Sequence, residues 1–398
     1  MSTNAPAKRE FSKIANLMKP SAIRLLLRVA NQPDMISFGG GLPNPESFPL
    51  DDIRRIFDEQ LAKNGRKMLQ YGATEGLDSL NIALSKRLKE KEGIVSEPTN
   101  IIETTGSQEA LYMVGKIFAN PGEYVITEAP TYTGTISAFR GSEVKMVGVE
   151  MDHYGMNMDS LRQTLKNYPN PKFIYVIPNF QNPSGITMSL ERRKELLEIA
   201  NENGITIIED DPYGSLRFAG PHIPSLKSMD NDVVYLGTFS KVLSPGIRLG
   251  YVVAPRDVID KLNITKQALD LATSTVSEYI ASAYVEEGFM DKQIPKIIDL
   301  YREKRDLMIE SFENYFPKDV EFTRPNGGMF IWVTRKGANT DKMFEEAVRQ
   351  KVLYVVGSAF YPDEDNHESM RLNFTYSSNE QIVEGVKRLG KLFEVTAR

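Results

Sequence analysis

Short apolar runs alternate along most of this chain with longer stretches whose apolar residues fall three and four apart. The runs suit buried strands, and the stretches suit helices with one covered face. Strands are therefore predicted over residues 100–104, 123–127, 143–149, 172–177, 205–209 and 233–236, with another over 251–254. Helices are predicted over 77–92, 107–118, 133–139, 160–167 and 190–203. Alternation of this kind implies an α/β domain with a mostly parallel sheet covered by helices.

After a helical stretch around 292–315 the rhythm changes. Strands over 328–333, 353–356 and 370–374, with helices over 341–351 and 379–393, make a smaller α+β unit. At the other end, Ser21 is placed to cap a helix from Ala22 to about Ala30, behind a loose arm over residues 1–20. Residues 1–50 carry too little pattern for a core of their own and are expected to pack with the small unit. The expected division is 1–50, arm and first helix; 51–290, a large domain; 291–398, a small C-terminal domain.

Composition mainly excludes. With 398 residues, 41% hydrophobic and 25% charged, the chain reads as an ordinary globular protein. A net charge of -5 gives no basic footprint for nucleic acid. There is no cysteine, which removes thiol catalysis, disulfides and thiolate metal sites. His153, His222 and His367 are far apart, without metal-ligand spacing, and read as surface or loop residues. The polar start lacks an apolar signal core, and Leu25-Leu26-Leu27 is bounded by Arg24 and Arg28. A cytoplasmic protein without a membrane partner is expected.

Ligands of open α/β sheets sit beyond the carboxyl ends of the strands, and polar clusters follow several strand ends here. Val233–Leu236 runs into Thr238, Ser240 and Lys241, then Pro245-Gly246 and Arg248. A lysine in such apolar surroundings can lose its charge and serve Schiff-base chemistry. The neighbouring hydroxyls and Arg248 suit an anion, and aldehyde plus phosphate describes pyridoxal phosphate. Gly106-Ser107-Gln108 stands between a strand and a helix, where it serves either as a phosphate site or as an ordinary cap. Tyr132 suits either ring stacking or the core. Asn182, before Pro183, reads as extended, with its amide free for a ligand oxygen, or as part of a plain turn. Glu209-Asp210-Asp211 ends an apolar strand. Alternation turns Asp210 away from its neighbours, and a buried carboxylate there could keep a pyridine nitrogen protonated. Tyr213 follows within reach of the ring. Arg371 sits in an apolar strand and needs an anion, either a structural carboxylate or a substrate's. Gly39-Gly40-Gly41 has the wrong spacing for a dinucleotide loop and reads as a close backbone approach.

In order, Gly-Ser-Gln, Tyr, Asn-Pro-x-Gly, Asp-x-x-Tyr and Ser-Lys-x-x-x-Pro-Gly-x-Arg resemble the fold type I pyridoxal-phosphate aminotransferases. The resemblance runs from Ser21 to Phe393 and is strongest to the class I subgroup of 2-aminoadipate and kynurenine aminotransferases. It implies that Lys241 bonds the cofactor and moves the proton. Ser107, Gln108, Thr238, Ser240 and Arg248 would hold the phosphate. Tyr132 would stack on the ring, Asn182 and Tyr213 would meet its 3-hydroxyl oxygen, and Asp210 its nitrogen. Arg371, with Asn182, would clamp the substrate α-carboxylate, and Gly40 would meet the substrate through its backbone. Arg24 would read a distal carboxylate, or is simply a solvated charge. A homodimer with shared sites is implied, Tyr71 reaching the neighbouring phosphate. The implied reaction passes an amino group from 2-aminoadipate, glutamate or an aromatic amino acid to a 2-oxo acid, 2-oxoglutarate foremost. It would run through pyridoxamine phosphate with ping-pong kinetics. A β-lyase, a decarboxylase or a non-enzymatic sensor module on the same fold are the alternatives.

Overall fold

The structure, a computed structural model, describes residues 9–20, 32–363 and 365–396. In the arm, Lys13–Leu17 forms one short helix, capped by Ser12, whose hydroxyl accepts from the Ala15 N–H. The helix predicted from Ala22, with Arg24, lies outside the described residues. Strand β1 (Ile36–Ser37) follows.

The large sheet takes eight strands: β2 (Ile101–Thr104), β3 (Tyr124–Ala129), β4 (Lys145–Asp152), β5 (Gly155–Met156), β6 (Phe173–Val176), β7 (Thr206–Asp210), β8 (Val234–Thr238) and β9 (Gly250–Val253). Their spatial order is β2-β9-β8-β7-β6-β3-β4-β5. The pairs β8–β7, β7–β6, β6–β3 and β3–β4 are parallel. β9 runs against both its neighbours, so β2 and β8 point the same way.

Alternation builds two cores on this sheet. Phe173 and Tyr175 of β6 join the larger apolar cluster, with Leu236 and Phe139. Ile174 and Val176 point to the other face and meet Ile126, Ile207 and Leu196. A sheet covered on both faces needs such continuous apolar strands. Each large side chain so buried contributes about 1.5–3 kcal/mol against exposure.

Beyond the arm helix, four α-helices among the described residues stand where the sequence reading had none: Leu50–Met68, the short Leu226–Met229, Arg256–Gln267 and Thr275–Glu286. After the long helix Phe289–Tyr315 comes the smaller sheet. It contains β10 (Glu321–Phe322), β11 (Phe330–Thr334), β13 (Val355–Val356) and β14 (Ser369–Asn373), in the order β10-β11-β14-β13, all antiparallel. Between them β12 (Val352–Leu353) pairs in parallel with β1, which ties the glycine loop after Phe38 to the C-terminal unit. Among the described residues no helix is long and apolar enough to cross a membrane.

Candidate active site

Because β2, β3, β6, β7 and β8 share a direction, their carboxyl ends meet along one sheet edge. The reversed β9 brings its beginning there instead. A cavity of about 370 Å³ lies at this edge, lined among others by Ser107, Tyr132, Asn182, Asp210, Lys241 and Arg248. Gln108, Tyr213, Thr238 and Ser240 line it too.

Lys241 leaves β8 and donates from Nζ to the Gly41 carbonyl at 3.1 Å. Burial, then the cations Arg371 and Arg248, lower its pKa to about 8. A sizeable fraction of the amine is therefore uncharged near neutrality. Beside it, Thr238 donates to the Ser240 hydroxyl at 3.1 Å and accepts the Ser240 N–H at 3.2 Å. Arg248 takes a left-handed backbone, with φ 51°. Its guanidinium donates to the Thr105 carbonyl at 3.3 Å. Gly106, at φ 78°, leaves room for it: a Cβ there would stand 2.5 Å from Arg248 Nη2.

Ser107 opens its helix but does not cap it. The capping position belongs to Gly106, and the buried Ser107 Oγ has no hydrogen-bond partner among the described residues. Helix starts leave backbone N–H groups unpaired, which favours an anion. The Gln108 side chain donates to the Gly134 carbonyl at 2.9 Å, so its backbone is the part left for such a ligand.

The three consecutive acids have separate partners. Glu209 accepts the N–H groups of Leu226 and Lys227 at 3.0 and 2.8 Å. Asp211 accepts from Asn179, Gly214 and Tyr235. Asp210 lines the cavity and accepts the Tyr175 hydroxyl on Oδ2 at 2.7 Å. Its buried Oδ1 has no partner among the described residues. Burial raises the Asp210 pKa to about 7 against the pull of Tyr175. An adjoining cationic ring nitrogen would restore the charged form.

Asn182 precedes a cis Pro183, and its amide is engaged rather than free. It donates to the Tyr213 hydroxyl at 3.4 Å and accepts from Arg371 Nη1 at 3.0 Å. Arg371 is fully buried, donates to the Gly39 carbonyl at 2.8 Å and lies 4.1 Å from the Phe330 ring centroid. Among the described residues no carboxylate pairs with it, and its Nε has no partner. Burial lowers its pKa to about 10. Gly40 is buried between the two glycines whose carbonyls hold Arg371 and Lys241. Tyr71 is not brought to this cavity; it is 87% exposed elsewhere on the chain.

Tyr175 escaped the sequence reading, as did the Gly39 and Gly41 carbonyls. A single hydroxyl-bearing residue in an otherwise apolar strand was the available signal. Tyr175 pairs with Ile208, two residues before Asp210, which puts both on one face. The amine, the orphaned Asp210 oxygen and the donors around Arg248 together suit a planar aldehyde with an anionic arm.

The aminotransferase class I and II family model matches residues 33–389. Aromatic-amino-acid aminotransferase 1 of Thermococcus litoralis is 45% identical over 391 residues, covering 96% of this chain and 94% of the relative. A crystal structure of Pyrococcus horikoshii kynurenine aminotransferase, in complex with PMP, matches all of both chains with a TM-score of 0.96 at 42% identity. The alpha-aminoadipate aminotransferase of Thermus thermophilus, complexed with N-(5'-phosphopyridoxyl)-L-leucine, has a TM-score of 0.91 at 36% identity, covering 97% of this chain and 98% of that one.

Proposed function

Since the chain belongs to the class I and II aminotransferase family, we propose which residues carry its reaction and which substrates it takes. It is a pyridoxal-phosphate-dependent enzyme that transfers amino groups. The observation that carries the residue assignment is the convergence of the Lys241 amine, the unpartnered Asp210 Oδ1 and Arg248 on one cavity.

When bound, the cofactor supplies an electrophilic carbon for a substrate amine and a ring that accepts the electron pair from the α-carbon. On this reading Lys241 takes the α-proton as base and returns a proton as acid. Asp210 holds a proton on the ring nitrogen, and Tyr132 bounds the ring. Asn182 and Tyr213 orient the 3-hydroxyl oxygen. Ser107, Gln108, Thr238, Ser240 and Arg248 hold the phosphate. Arg371 and Asn182 fix the α-carboxylate, with the Gly40 backbone beside the substrate. The division at about residues 50 and 290, and a cytoplasmic location, belong to the same reading.

Acidic and aromatic amino donors fit the relatives' names, which specify aromatic amino acids, 2-aminoadipate and kynurenine, and 2-oxoglutarate is the proposed acceptor. A homodimer is supported by the exposure of Leu69 (70%) and Tyr71 (87%) beside each other. The test is a panel of amino donors against 2-oxoglutarate, with the visible absorbance of the cofactor followed. Lys241→Ala is expected to lower the rate by at least about 10²–10⁴-fold. An unchanged rate rejects the assignment. Arg24→Ala is expected to weaken 2-aminoadipate and glutamate selectively. Equal loss for aromatic donors rejects that role.

A further inference from the structure

A charged cluster that the reaction does not use stands behind the turn at Thr105 and Gly106. Thr105 donates its N–H to Glu109 and its hydroxyl to Asp270, each at 2.6 Å. Its carbonyl is the group that Arg248 grips. One residue is thus held by two carboxylates on one side and by the phosphate-binding arginine on the other. Both carboxylates accept from Lys266, at 3.2 Å for Glu109 and at 2.7 and 2.9 Å for Asp270. The Lys266 side chain has no exposure, while those of Glu109 and Asp270 keep 11% and 27%. Behind Lys266, Glu103 is held well above the usual carboxylate range, by burial first and by Glu278 second.

Charges this close to a phosphate cup act through little water and are weakly screened. Two carboxylates beside the cup would repel a dianion. The cation between them offsets that repulsion, and removing it would leave two partly buried charges uncompensated. The same cation fixes Asp270, which in turn fixes Thr105 and the carbonyl that orients Arg248.

We infer that Lys266 is a positioning residue of the cofactor-phosphate site, which neutralises Glu109 and Asp270 and so favours ligands that carry the phosphate arm. This rests on the reading of the cavity as a pyridoxal-phosphate site. Sequence alone held no hint of it, since the helix that carries Lys266 was itself not read.

The test is binding to the cofactor-free chain, followed by visible absorbance, with pyridoxal phosphate and with pyridoxal, which lacks the phosphate. Lys266→Met is expected to weaken pyridoxal phosphate about tenfold or more and pyridoxal less than about twofold. Lys266→Arg is expected to restore most of the loss. Adding Asp270→Asn to Lys266→Met is expected to restore part, because one stranded charge is gone. Should Lys266→Met not fold, Asp270→Asn alone decides: it should raise the preference for the phosphorylated ligand. Equal loss for both ligands in Lys266→Met, or a lowered preference in Asp270→Asn, overturns the inference. A wild-type chain that binds neither ligand overturns the cofactor reading itself.

Discussion

Asp210 takes its character from what surrounds it. In water its carboxyl would be charged and indifferent; buried, with one oxygen held by Tyr175, it waits for a cation. Replacing Tyr175 by Phe strips the bond and leaves a buried acceptor unsatisfied, a cost of about 1–3 kcal/mol. We expect kcat to fall roughly tenfold with the donor KM little changed, given that loss in the reacting state. The visible absorbance of the bound cofactor should also shift its pH midpoint. Steady-state kinetics and an absorbance titration check both. Asp210 and Arg371 were legible as charged residues within apolar strands, and Lys241 and Arg248 as cations in the polar connection between two of them. Tyr175 was not, since a tyrosine in a strand is also an ordinary core residue. The amide of Asn182 was expected to be free, and only tertiary contacts reveal that Tyr213 and Arg371 occupy it.

At the scale of the element, strands were read best where both faces are buried, as in β6 and β7. The helix Leu50–Met68 was not read, although Leu50, Ile53, Phe57 and Leu61 recur three and four apart and Ile53 and Phe57 pack against the core beside the buried Ile56 and Met68. β3 carries a separate lesson in Glu128, which is fully buried and pushed up to about 8 by burial. It accepts the Ile177 N–H and the Gln181 amide, both at 3.1 Å. A carboxyl with a raised folded pKa binds more protons folded than unfolded between about 4.5 and 8. Its contribution is therefore complete at low pH and is lost as pH rises through 8. The cofactor-free protein should lose on the order of a few kcal/mol across that window from this group. Glu128→Gln, which mimics the protonated form, should flatten the decline. Thermal melts between pH 5 and 9 measure it, and a parallel decline in the variant contradicts the idea.

For the molecule as a whole, the succession of strand-end clusters carried the fold further than any one motif. The direction of β9 was hidden, because antiparallel and parallel buried strands share one apolar pattern. So was the packing of the β1–β12 pair, which joins segments more than three hundred residues apart. Tyr71, exposed on its own chain, supplies a test of assembly. Lys241→Ala and Tyr71→Ala chains should each be impaired. After subunit exchange, each hybrid should carry one site free of both lesions, and a random mixture, about half of it hybrid, should recover about a quarter of wild-type activity. No recovery on mixing argues against a shared site.

The reversal of β9 has one more outcome. The backbone passes the cavity outward at Lys241 and returns at Arg248, so a single short excursion carries both the amine and a cationic grip. Its amides form one unit of local opening, not two. Loading the cofactor should slow hydrogen exchange across residues 240–250 together, with one common protection factor, while residues 320–334 exchange as before.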